Sequence, residues 1–177
     1  MFIYAETLFD RSKKFEDLVD EYYTYAYGEH KDFVMNYMKE LSAIFEFPYM
    51  NGMMTTDKSK SDHYDPSRVE SFKKVGEIAR KAREYILANY KMADRVKTVS
   101  MLLLLRHTEY AEHAGELMEL VCQGLTDEAN ERAERFYEEF GKYEAEIERY
   151  YDHGLCVMGW RHRIAKGVKR NTEAAGI

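Results

Sequence analysis

Proline is almost missing from this 177-residue chain, which has two, Pro48 and Pro66, beside ten glycines. A turn-rich β architecture draws on both residue types at each tight turn, so it is disfavoured from the outset. Cysteine is as scarce. Cys122 and Cys156 lie on separate segments and form no CxxC pair, so no metal or redox motif is supported and two free thiols are expected. No run of about 18 apolar residues occurs, so no membrane span is expected. Glu6 and Asp10 stand at the start, with no basic stretch ahead of a long apolar run. The segment therefore does not read as a signal peptide, and a cytoplasmic setting is favoured. A glycine-rich phosphate loop, a GxSxG elbow, a Cys–His nucleophile pair and a fixed helical repeat are missing too.

What remains is charge and aromatic surface. Charged residues make up 33% of the chain and apolar ones 45%, with 15 Tyr, 9 Phe and a single Trp. At this length one domain buries roughly 70% of its unfolded surface, enough for a real core. The net charge is −6, unevenly spread. Residues 160–177 carry Arg161, Arg163, Lys166, Lys169 and Arg170 against Glu173, a net of +4, which leaves −10 on the rest. An acidic body with a short basic end lacks the clustered cationic face that nucleic acid requires. The basic end is expected to dock on its own acidic bundle.

Helical periodicity accounts for most of the chain. A first helix, Lys13 to Tyr27, places Phe15, Leu18, Val19, Tyr22 and Ala26 on one face and stops at Gly28. A second, His30 to Glu46, shows Val34, Tyr37, Met38, Leu41 and Phe45 before Pro48. Asp65, Pro66, Ser67 and Glu70 open a third, with small residues at Gly76, Ala79 and Ala82 for close approach by a neighbour. A fourth, Met92 to Gln123, would run about 45–50 Å. Its Val99–Leu105 stretch is apolar almost all round, which predicts a central position with Leu103 in the core. A fifth follows Gly124, capped by Thr126, with a seam of Ala129, Ala133, Phe136, Phe140, Tyr143, Ile147 and Tyr150 that should pack antiparallel on the fourth. The expected architecture is an all-α bundle of five main helices with a long central helix, one domain over residues 1–177. Residues 1–12 form an entry segment, 47–65 a long loop, and 153–177 an irregular basic tail with one short helix from Arg161 to Lys169.

The start carries a further signal. The residues Ala5, Leu8, Phe9, Asp10, Phe15, Leu18, Tyr22, Tyr23, Ala26, Tyr27 and Gly28 form an apolar lead-in, an acidic turn and an aromatic-paired helix closing on Tyr-Gly. This resembles the C-terminal helical region of bacterial glycoside-hydrolase-like proteins whose barrel is related to the family 20 hexosaminidases. Phe9 stands where such proteins commonly have tryptophan before the acidic turn, a departure from the pattern. The resemblance covers most of the chain but no catalytic barrel. It implies a non-catalytic accessory region that packs against a barrel in carbohydrate metabolism, without a cofactor. The adjoining barrel, or self-association in its absence, would be the partner.

Three residue sets carry possible chemistry. Tyr23, Tyr25, Tyr27, Tyr49 and Trp160 are candidates for a carbohydrate platform or a domain interface, since an aromatic ring with a polar tip suits both. His107, Glu109, His113 and Glu116 lie in one segment, and the last three share a helical face at i, i+4, i+7. That set supports an alternative reading, a free-standing helical bundle holding a ligand or metal. Its spacing misses the Glu-x-x-His pairs of di-metal bundles. Acidic runs such as Glu138–Glu139 and Glu144, Glu146 and Glu148 fall on the outer face of the seam, so no carboxylate pair is marked for hydrolysis. The loop residues Tyr49, Met50, Met53 and Met54 are expected to cover an apolar surface.

Overall fold

Asp94 starts the longest helix, its carboxylate accepting the Val96 N–H at 2.7 Å, and Gly124 ends it at φ 75°, ψ 20°, where a side chain would be strained. That helix spans Arg95–Gln123 in the computed structural model, which describes residues 2–165. Around it, in chain order, stand α1 (Phe2–Phe9), α2 (Phe15–Tyr27), α3 (Lys31–Ile44), the single turn α4 (Phe47–Met50) and α5 (Val69–Asn89). The long helix is α6; α7 (Thr126–Gly141), the short α8 (Glu144–Ile147) and α9 (His153–Gly159) follow, with a wide helical turn over Trp160–Ala165. No strand occurs among the described residues. The short helices stand outside the five that periodicity marks.

Side-chain pairing fixes the directions. Val75 meets Gly115 and Arg83 reaches Thr108 and Glu112, so α5 runs antiparallel to α6. Arg132 meets Glu116 while Arg106 meets Glu146, so the α7 side is antiparallel as well. Phe33 stacks on Tyr85, and Phe45, just past the end of α3, meets Phe72 edge to face, which sets α3 antiparallel to α5. Of the small residues marked on α5, Ala79 and Ala82 are buried; on α6 Gly115 is pressed tightest, since an added Cβ would fall 2.7 Å from Val75 Cβ. Gly76, also expected to allow close approach, faces open space.

Several expectations need correction. The entry segment is itself a helix, α1, which folds onto α2 with Phe2 5.9 Å from Tyr22. On α2 the buried residues are Leu18, Ala26 and Tyr27, whereas Phe15 and Tyr22 face solvent. Apolar residues encircle that helix, so their spacing alone does not choose the inward face. Gly28 has φ 58° but ψ −125°, a positive-φ turn into the 3-10 segment Gly28–His30 rather than a left-handed helical cap. In the apolar run of α6, Met101, Leu104 and Leu105 are buried, while Val99, Leu102 and Leu103 are only half-covered. Thr126 begins α7 without capping it, and the seam ends at Ile147, since Tyr150 is exposed.

Residues 47–65 open with α4, and their path is pinned by main-chain bonds: Thr56 N–H to Tyr64 C=O at 2.9 Å, Asp65 N–H to Cys122 C=O at 2.9 Å. Asp65 then caps the next segment by accepting from both the Ser67 N–H and hydroxyl. Tyr49 and Met50 pack inward as expected, but Met53 and Met54 stay exposed. The tail is helical over His153–Gly159, started by Asp152 accepting the Leu155 N–H. Arg161 pairs with Glu134 and lies over Tyr137, so the basic end does meet the acidic body there. The expected helix to Lys169 extends past the described residues. Cys122 is buried and Cys156 half-buried, both free.

Candidate functional site

The face of α6 that carries His107 also carries Tyr110, Ala111 and Ala114, at the three- and four-residue steps that stack on a helix. Two alanines among large neighbours leave a hollow. Met38, Leu41 and Ser42 of α3, with Phe45 just past its end, close it from one side, and Met50 of α4 and Trp160 of the last turn close the others. The resulting cavity is about 270 Å³, and its lining contains no carboxylate. It is an apolar chamber with a few polar groups, as small-molecule sites usually are.

Those polar groups are held in place. The Tyr37 hydroxyl lies 3.0 Å from His107 Nδ1, with the two rings edge to face. Tyr37 is only 4% exposed, and no other acceptor for its O–H occurs among the described residues. An unmade buried donor is costly, so Tyr37 donates to Nδ1 and the neutral ring carries its proton on Nε2. Burial lowers the His107 pKa, which keeps that ring neutral near pH 7. Tyr110 accepts the indole N–H of Trp160, and its ring meets Phe136, Phe140 and Tyr151 at 5.2–5.5 Å. Trp160 is thus fixed at the wall. On its far side a second, more polar hollow of about 410 Å³ shares Met50 and Trp160 and adds Asn51, Asp62, His63 and Cys156. His63 is itself anchored by the Met50 carbonyl at 3.1 Å.

Glu109, His113 and Glu116 do share one face, but it opens into a different cleft from His107. Arg132, buried on α7, occupies that cleft. Its Nε donates to Glu116 at 2.7 Å, its second guanidinium nitrogen approaches His113 Nδ1, and Glu139 lies within 3.9 Å. Glu109 is engaged by Arg106 at 3.0 Å. Desolvation first, and then the Arg132 cation, push the His113 pKa down. The cleft is a self-neutralising ion-pair network built around a guanidinium. Among the described residues no group of three or more His, Cys, Asp or Glu side chains is placed to hold a metal ion. The spacing along α6 was readable, but Arg132 lies on another helix, and nothing in the sequence ties it to this face.

The aromatic candidates do not form one platform. Tyr49 is fully buried, its hydroxyl donating to the His63 carbonyl while Arg68 lies 4.2 Å over the ring. Tyr27 is buried on α2, Tyr23 is half-buried against it, and Tyr25 points to solvent at 70% exposure. Only Trp160 lines the hollow. Tyr37, Tyr110, Ala111 and Ala114 went unnoticed as site residues, although the alanines one turn and two turns beyond His107 were visible as a small-residue face. Cys122, which burial pushes up to about 12, sits away from this hollow as a neutral thiol. No helix among the described residues is long and apolar enough to cross a membrane. Comparisons with protein-family models, with curated proteins and with solved structures each find no match for this chain.

Proposed function

We propose that this domain is a non-catalytic helical accessory region that docks on a glycoside-hydrolase-like barrel in carbohydrate metabolism. One observation carries the reading: the α1–α2 hairpin turns large apolar side chains outward. Tyr4, Leu8, Phe9, Phe15 and Tyr25 are all more than 60% exposed, with Phe9 at 90%. Folded monomers rarely turn so many large apolar side chains of one hairpin into water unless something covers them. A salt bridge from Lys13 to Glu6 ties the lead-in to the turn, so the hairpin is organised rather than loose. Leu8, Phe9 and Phe15 are also among the residues that carry the resemblance to the barrel-associated region. In a polypeptide holding both parts, amide exchange across Phe2–Phe9 and Phe15–Tyr25 should slow relative to this chain alone. Equal exchange in both would remove the reading. The chain alone is expected to show no hydrolysis of aryl glycosides above background. Turnover abolished by replacing one of its own carboxylates would contradict that.

The hollow at His107 favours a second reading, a helical bundle that holds a small ligand between α3 and α6. It requires no barrel, and the two readings use separate faces of the molecule.

A further inference from the structure

We infer that the chamber between α3 and α6 binds a compact two-ring molecule carrying one hydrogen-bond acceptor, which His107 Nε2–H engages while Met38, Met50 and Trp160 enclose the rings. This rests on the second reading above, that the bundle holds a ligand, and adds what that ligand is.

Size comes from the volume. An apolar cavity of about 150 Å³ accepts one benzene ring. This chamber, at about 270 Å³, has nearly twice that room, enough for two fused rings. Shape and polarity come from the walls. Two methionines and one indole conform to ring faces and edges, and thioether sulfur is favourable against aromatic carbon. A charged ligand would find no counter-ion, since the lining has neither carboxylate nor Lys or Arg.

The sign of the hydrogen bond comes from Tyr37. Its O–H is committed to Nδ1, so the tautomer is set and Nε2 is the donor. No protein acceptor for Nε2 occurs among the described residues. The Trp160 N–H is already committed to Tyr110 and competes for no acceptor. Of the nitrogen donors in the lining, His107 Nε2–H is the one left uncommitted, with the Ser42 hydroxyl standing at the exposed rim, and a ring nitrogen, carbonyl or ether oxygen answers it.

Quinoline and naphthalene separate shape from acceptor, because they share size and outline and differ only in the ring nitrogen. Each would be titrated into the full chain while following the Trp160 indole N–H and the Met38 and Met50 methyl resonances. Quinoline should give saturable shifts and bind about five- to tenfold more tightly than naphthalene, the worth of one net hydrogen bond. The preference should vanish in His107→Phe and weaken in Tyr37→Phe, which frees the tautomer. Ser42→Trp, at an exposed rim position, should block both probes without unfolding the bundle. Equal affinity for the two probes in the unaltered chain would overturn the acceptor assignment while leaving a ligand chamber. The absence of shifts from either probe would overturn both, and the docking reading of the α1–α2 face would stand apart from that result.

Discussion

At the scale of single residues, the histidines of α6 set a pH dependence whose sign can be worked out. His107 and His113 both have pKa values below the ordinary 6.5, chiefly because burial disfavours the charged ring. Above that value neither state binds the proton, and the two contribute nothing to the slope. Below it the unfolded chain takes up protons that the folded chain resists, so stability falls as pH drops. Thermal midpoints measured from pH 7.5 to 5 should decline, and His107→Phe should flatten part of the decline. A midpoint that rises toward acid would show these rings to be charged in the fold. Gly115 makes a second test. An alanine there puts Cβ against the branch point of Val75, not against a flexible tip, so Gly115→Ala should destabilise by about 1–3 kcal/mol in denaturant unfolding. Gly76→Ala, with open space around it, should cost nothing and gain a little helix propensity. The sequence marked the wrong glycine of the two because spacing shows which residues are small, and only the partner helix shows which of them is pressed.

At the scale of elements, the apolar run Val99–Leu105 shows what periodicity can and cannot settle. It announced a helix with neighbours on several sides, and α6 does lie between α5, α2 and α7. Six apolar residues out of seven, broken only by Ser100, carry little phase, however, so the deepest members could not be picked out. Leu104 is 2% exposed while Leu103 only leans on the core. Leu104→Ala should therefore cost about 2–5 kcal/mol and Leu103→Ala clearly less, read from urea midpoints. A reversed order would mean that α6 is rotated about its axis. Capping was more legible because it is local. Asp65, at the start of the turn leading into α5, does what its position beside Pro66 announces. Thr126 does not, since the Gly124–Leu125 turn brings the chain into α7 one residue early. The chamber at His107 was hidden for a related reason. Its walls come from α3, α4, α6 and the final turn, and no local pattern registers a space left between elements.

At the scale of the whole molecule, the bundle has one side finished and one side open. The core gathers on α5, α6 and α7, where Phe72, Val75, Ile86, Leu117, Met118 and Phe136 are sealed from water. The opposite end, α1 with the outer face of α2, packs on little else and keeps its rings outside. The all-helical class and the long helix were legible from composition and period. The open face was legible only as an oddity of the first residues, because a sequence shows that Leu8 and Phe9 are apolar and not that α2 turns them away. A face of this kind covers itself with whatever apolar surface is nearest. In a solution of this chain alone, that surface belongs to a second copy, and a symmetric pairing of two α1–α2 hairpins would bury Leu8, Phe9 and Phe15 at once. Sedimentation velocity over a range of concentrations should show reversible self-association. Phe9→Glu and Leu8→Glu should abolish it while leaving the thermal midpoint unchanged, since neither side chain contributes to the core. A chain that stays monomeric at the highest concentrations, with the same profile in both variants, would mean that water tolerates this face and that nothing need dock there.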